Sequence, residues 1–326
     1  MGVPVLHLDI AAFRRAVLAW FDASGRTFPF RATTDPYLVL VSETLLQQTQ
    51  ISRGGPAWVT FTRQFPTVES LAAATPASVL RAWRGLGYNR RAVNLQRTAR
   101  IVVGEMGGVF PPDVAALERL PGIGPYTARA VASIAYRIPT GAVDTNVRRV
   151  LGRVLTGDPA SLRPKELQAS ADILVDPDRP DHWTHALMDI GSTLCRPTRP
   201  ICPDCPVASM CRYAAGERPI TPAQGSRSGS RSGRARTRTG DFKLTTRWLR
   251  GRILDRLREA PGPAWTTFAE PIGGHDRAAI RTSLRAMERD GLLELEDPPD
   301  GPPDGAAESR SGGSAPAVPR ARLPIA

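Results

Sequence analysis

Up to about residue 215 the apolar positions, mainly Ala and Leu, recur at helical spacing, and long alternating stretches of the strand-forming kind are missing. The pattern predicts an almost entirely α-helical segment, punctuated by turn chemistry at Asp35-Pro36, Phe65-Pro66, Pro111-Pro112 and Pro121-Gly122. From 222 to 240 the periodicity stops in a Ser, Gly and Arg tract without apolar anchors, which reads as a flexible basic linker. Beyond it, TTRWLRGRILDRLREA and DRAAIRTSLRAMERDGLLELE predict two amphipathic helices and a short strand, the pattern of a winged-helix-like module. In its second helix Ile280, Leu284 and Met287 form the apolar stripe, with Arg277, Arg281, Arg285 and Arg289 on a neighbouring face. The chain therefore divides into a helical core over 1–215, a linker over 216–240, a small module over 241–297 and a tail over 298–326 whose composition predicts disorder.

Charge narrows the partner class. The 326 residues carry a formal net charge of +12, with 43 Lys and Arg of which only Lys165 and Lys243 are lysine. Polyanions are the expected partners. No stretch approaches the length of a membrane span. The N-terminus, MGVPVLHLDIAAF, has neither a basic n-region nor a long apolar run, so the expected location is the cytoplasm, in association with the nucleoid.

All four cysteines, Cys195, Cys202, Cys205 and Cys211, fall within 17 residues, separated by six, two and five residues. In a reducing compartment such crowding reads as one metal centre rather than as disulfides. Four thiolates suit either tetrahedral zinc or a [4Fe-4S] cluster, and only Cys202 and Cys205 form the CxxC pair that zinc sites usually show twice. A zinc nucleobase deaminase is excluded, because Ile201 rather than proline precedes Cys202 and none of His7, His182, His185 and His275 begins an HxE.

Leu120-Pro121-Gly122-Ile123-Gly124 lies between two helical patterns. Gly122 and Gly124 permit a tight turn with exposed backbone, and the amides opening the next helix can hold a DNA phosphate without reading sequence. Twenty residues further on, Asp144 stands just before another helix, where its simplest role is an N-cap. Hairpin, aspartate and cysteine quartet together resemble the helix-hairpin-helix DNA glycosylases of the iron-sulfur branch, over about residues 8–215. The resemblance implies an all-α fold of two helical subdomains, a hairpin subdomain over about 30–140 and a cluster subdomain of 1–29 with 141–215. It also implies a [4Fe-4S] cofactor on the four cysteines, and a loop presenting Arg196, Arg199 and Arg212 to the DNA backbone.

Within that branch, Ser42-Glu43-Thr44-Leu45-Leu46-Gln47-Gln48-Thr49-Gln50-Ile51 and Gly85-Leu86-Gly87-Tyr88-Asn89 are similar to segments of the A/G-mismatch adenine glycosylases, the MutY family. The implied function is removal of adenine mispaired with guanine or 8-oxoguanine, by a monomer acting on double-stranded DNA. Gln48 and Tyr88 are then the DNA-facing residues around the extruded base. Asp144 is the catalytic carboxylate, Tyr126 bonds near the sugar and Asn146 orients Asp144. Tyr126 stands where bifunctional relatives carry a Schiff-base lysine, so no strong strand cleavage is expected. Glu43, set among Leu38, Val39, Leu40, Val41, Leu45 and Leu46, is expected to be desolvated and hence a proton donor. Thr145, Phe28-Pro29-Phe30 and the lack of a Nudix-like C-terminal domain depart from the adenine family. The alternatives are a thymine or uracil glycosylase acting on G mismatches and, from another class, a non-catalytic iron-sulfur DNA-binding protein.

Overall fold

The computed structural model describes residues 5, 8–216, 242–297 and 318–325. The first half of the chain forms α1 (Ile10–Ser24), α2 (Pro36–Leu46), α3 (Ile51–Gln64), α4 (Val68–Ala73), α5 (Pro76–Ala82) and α6 (Arg90–Met106). It continues with α7 (Val114–Glu118), α8 (Pro125–Tyr136), α9 (Thr145–Thr156), α10 (Pro164–Leu174) and α11 (Pro180–Thr193). The C-terminal part adds α12 (Thr246–Glu259), α13 (Arg277–Arg289) and strands β1 (Glu294–Glu296) and β2 (Arg320–Arg322). The expected all-helical core is present, and short polar residues start its helices: Asp9, Asp35, Asp113 and Asp144 each accept a backbone N–H from the first turn they precede.

Two compact units emerge, one of Met1–Arg63 with Ile101–Ser230 and one of Gln64–Arg100 with Arg231–Ala326. In the first, α9 and α11 face each other. Val147, Val150, Leu151, Val154 and Leu155 meet Trp183, Ala186, Leu187 and Ile190, and α1 closes the core by setting Phe13 edge-on to Trp183 at 5.7 Å. Fully burying each Val, Leu, Ile or Phe among these is worth about 1.5–3 kcal/mol. Gly191 lets the two helices approach closely: a Cβ there would lie 2.6 Å from the Cβ of Asn146. The hairpin is α7, a turn with Gly122 at φ 79°, and α8, which opens on Gly124 and Pro125.

In the second unit Ile280, Leu284 and Met287 are fully buried, as the apolar stripe predicts, against Leu249, Ile253, Leu254 and Leu257 of α12. Two features of this unit differ from the sequence-based boundaries. Residues 64–100, counted with the core by their helical pattern, belong compactly with the C-terminal module. The tail predicted as disordered ends in β2, which pairs antiparallel with β1 in the register Glu294 to Arg322, Leu295 to Ala321 and Glu296 to Arg320. A three-residue strand is too short to leave a readable alternation, so its partner reveals it and its own pattern does not. Residues 298–317 of that tail, and all but residue 216 of the expected linker, lie outside the described residues.

Candidate active site and metal centre

A cavity of about 890 Å³ opens within the first unit, and Glu43, Tyr126, Asp144 and Asn146 all line it. Three elements deliver them. Glu43 sits on α2 among Val39, Leu40, Val41 and Leu45, all buried, and is itself only 9% exposed. Tyr126 is in the first turn of α8, and its hydroxyl donates to Glu43 Oε2 at 2.8 Å. Asp144 caps α9: Oδ1 accepts from the Val147 N–H at 2.7 Å and Oδ2 from Asn146 Nδ2 at 2.8 Å. The cap and the cavity-lining role thus coincide in one residue.

Burial pushes the Glu43 carboxyl up to about 7, and the Asp144 carboxylate adds to the rise, against the lowering effects of the Tyr126 hydroxyl and Arg31. Tyr126 is raised well above its ordinary value by burial and by the Glu43 and Asp144 carboxylates, so its hydroxyl stays a donor. The site therefore places an acid that keeps its proton near neutrality in the same cavity as a second carboxylate held by two hydrogen bonds. That is the arrangement for general acid catalysis with stabilisation of a developing cation.

A buried ion-pair cluster behind the cavity-lining Arg26 and Arg31 went unread in the sequence. Asp189 on α11 has a side chain 0% exposed and accepts from Arg31 at 2.8 and 2.9 Å and from Arg26 Nε at 2.8 Å. Burial alone would raise this carboxyl, but the hydrogen bonds from Arg31 and Arg26 overcome it and hold it below the usual range. His185, Met188 and Ser192 line the cavity from the same helix, and burial lowers the His185 imidazole to about 3 and keeps it neutral. Residues 185, 188, 189 and 192 share one helical face, a signal present in the spacing. Phe30 also lines the cavity and stacks on Phe28 at 5.0 Å.

Gln48, at the end of α2, borders the cavity, is exposed and has a left-handed φ of 54°. Tyr88 belongs to the second unit, is 46% exposed and has φ 45°. Gly124 opens α8 without a side-chain cap, and a Cβ there meets nothing within 4 Å, so the helix-end amides are open to an approaching anion. Lys165 is exposed and does not line the cavity.

The four cysteines border a single small cavity with Arg153 and Tyr213. Arg153, 6% exposed, donates to the Arg196 carbonyl at 2.8 Å and the Pro197 carbonyl at 3.0 Å, and approaches Cys195 Sγ at 3.3 Å. Burial raises the thiols of Cys205, to about 11, and Cys211, so a cationic centre is what would hold them as thiolates. No cluster of three or more His, Cys, Asp or Glu among the described residues closes on a single ion position. Four thiols on one cavity supply the donor set of either tetrahedral zinc or a [4Fe-4S] cluster. Arg196 and Arg199 are exposed in the cysteine loop, Arg199 with φ 51°, whereas Arg212 turns back to the Leu155 carbonyl at 3.4 Å.

A polar chain joins this loop to Asp144. Arg149 donates from Nε to the Cys195 carbonyl at 2.6 Å and from a terminal nitrogen to the Asn146 Oδ1 at 2.8 Å and the Gly191 carbonyl at 2.7 Å. Because the Asn146 oxygen is taken by Arg149, its nitrogen faces Asp144.

Residues 41–212 match the model of the HhH-GPD superfamily of base excision DNA repair proteins. An adenine DNA glycosylase of Mycolicibacterium smegmatis is 38% identical over 283 residues, covering 85% of this chain and 91% of that protein. The chain belongs to the adenine DNA glycosylases of this superfamily. The human member of that family is 43% identical over 216 residues, but the match takes in only 40% of its length. Among solved structures, a thermostable thymine-DNA glycosylase aligns at a TM-score of 0.61 with 28% identity, over 65% of this chain and 99% of that one. Endonuclease III in a non-covalent DNA complex shares the fold at a TM-score of 0.55 and 23% identity. No helix among the described residues of this glycosylase-family chain is long and apolar enough to cross a membrane.

Proposed function

We propose that this protein flips adenine mispaired with guanine or 8-oxoguanine out of duplex DNA and removes it by hydrolysis, acting as a monomer in the cytoplasm at the nucleoid. The observation that carries the reading is the Glu43 carboxyl, raised to about 7 and hydrogen-bonded to Tyr126 in the cavity that Asp144 also lines. Adenine becomes a leaving group when a ring nitrogen is protonated, and Glu43 supplies that proton. As the C–N bond breaks, positive charge grows on the sugar, and the Asp144 carboxylate stabilises it or bonds transiently to the anomeric carbon, as in retaining glycosidases. Asn146 fixes the Asp144 rotamer, Tyr126 fixes Glu43, and water completes the hydrolysis. The base must leave the stack to enter the cavity. Gln48 and Tyr88 fill and flank the gap, while the Gly122–Gly124 turn, Arg196 and Arg199 hold phosphates.

Cys195, Cys202, Cys205 and Cys211 hold a [4Fe-4S] cluster whose role is to fold the loop. Broad visible absorption, lost in Cys205→Ala, distinguishes it from colourless zinc.

One assay tests the function. Duplexes carrying A, T or U opposite G and 8-oxoguanine are incubated with the protein and treated with alkali to reveal abasic sites. Cleavage of the A strand alone is expected, and only after alkali. Release of T or U but not A would replace the reading with the thymine or uracil activity that the thymine-DNA glycosylase likeness favours. Binding without any excision would leave a DNA-binding protein. Borohydride trapping of abasic DNA should give no wild-type-level adduct that survives Lys165→Ala.

A further inference from the structure

The second unit contains the segment that carries Tyr88, and its shape is unusual. Gly85, Gly87 and Tyr88 have φ of 82°, 68° and 45°, so three residues of four are left-handed, one of them an aromatic. A non-glycine residue in that region costs roughly 1–2 kcal/mol and persists only where its surroundings hold it. From inside, Trp83, fully buried, donates Nε1 to the Gly87 carbonyl at 3.1 Å. From outside, the holding comes from α12 of the C-terminal module. Arg258, with a side chain 5% exposed, donates Nε to the Leu80 carbonyl at 2.9 Å and a terminal nitrogen to Asn89 Oδ1 at 2.7 Å, on either side of the turn. Three helical turns earlier, Arg247 lies with its guanidinium carbon 4.7 Å from the centre of the Tyr88 ring. Eleven residues return a helix to nearly the same face, so one stripe of α12 presents both arginines to one segment.

We propose that α12 is a positioning element for Tyr88. Arg258 ties down both sides of the Leu86–Tyr88 turn and Arg247 holds the ring, so the C-terminal module sets affinity for a mismatch through the tyrosine. Arg258 and Arg247 are positioning residues, and the idea rests on the glycosylase reading in which Tyr88 faces DNA. A guanidinium over an aromatic face is the natural holder for a half-exposed ring, because it grips without enclosing it.

The test is a double-mutant cycle read as Kd for a 5′-fluorescein duplex with A opposite G, with a matched duplex as reference, together with KM and kcat for excision. Arg247→Ala is expected to weaken mismatch binding about two- to five-fold, with the loss in Kd and KM exceeding that in kcat. Tyr88→Ala should weaken it by about five-fold or more, and adding Arg247→Ala to it should cost nothing further. Arg247→Lys, which keeps a cation over the ring, should recover part of the loss. Equal losses from Arg247→Ala in both backgrounds, with a salt slope lower by about one, would mean that Arg247 contacts phosphate itself and would overturn the proposal. So would no loss at all. For Arg258, Arg258→Lys is compared by melting temperature and Kd together. Weaker mismatch binding in a variant that melts like the parent supports the assignment, and unchanged binding refutes it. A wild-type protein that does not prefer the mismatch over the matched duplex would instead sink the glycosylase reading on which the idea stands.

Discussion

Glu43 gives the sharpest prediction. If its proton is the one delivered to the base, the excision rate follows the fraction of Glu43 still protonated. With the carboxyl at about 7, that fraction is near one below about pH 6 and about one in a hundred at about pH 9. Single-turnover excision should therefore be flat on the acid side and fall tenfold per pH unit on the alkaline side, to on the order of 100-fold slower at about pH 9. The measurement is rapid mixing of excess protein with a mismatch duplex, quenched and developed with alkali, in buffers of constant ionic strength. Tyr126→Phe supplies an internal control of sign. The Tyr126 hydroxyl lowers the Glu43 value by bonding its ionised form, so its removal must move the alkaline limb to higher pH. A rate that stays level to about pH 9, a fall centred near the ordinary 4.5, or a downward shift in Tyr126→Phe would each refute the assignment of Glu43 as the acid.

Folding stability should report the same carboxyl. Its folded value lies above the unfolded 4.5, so wild-type stability is full below that pH and is lost as pH rises through about 7. Denaturant melts of Glu43→Gln should show a gain on the order of 3 kcal/mol over wild type at about pH 8.5, shrinking to near zero at about pH 4.5. Arg149→Ala frees the Asn146 amide to rotate and should lower kcat by about tenfold or more while the far-UV spectrum is unchanged, matching the loss of a charge-assisted hydrogen bond of about 1.5–3 kcal/mol. Asp189→Asn leaves Arg26 and Arg31 without their buried carboxylate and should destabilise the protein by about 3–5 kcal/mol, read as a drop in thermal midpoint.

The four residues that share the cavity and are proposed to act on the base were legible in the sequence because each sits at a local landmark. Asp144 and Tyr126 stand at helix starts, Asn146 follows Asp144 by two, and Glu43 interrupts an apolar run. Long-range chemistry was not. Arg26 and Asp189 are 163 residues apart, and nothing in either neighbourhood encodes the pairing. The same holds for Arg258 and Asn89, 169 residues apart, which is why residues 64–100 read as part of the helical core although they pack with the C-terminal module. Arg149 lies only five residues beyond Asp144, yet its role depends on a carbonyl of the cysteine loop that only folding brings near.

Gly191 has no side chain, no charge and no place on the cavity wall, yet a methyl group there would sit 2.6 Å from the Asn146 Cβ and 3.2 Å from its main chain. Asn146 cannot give way without turning the amide that steadies Asp144. The tolerance of this chain to inherited change is thus set partly by a residue that no inspection of charged or cavity-facing groups would select. A single-nucleotide alteration at a glycine in the last turn of α11 would belong, in its consequences, with alterations of Glu43 and Asp144 themselves.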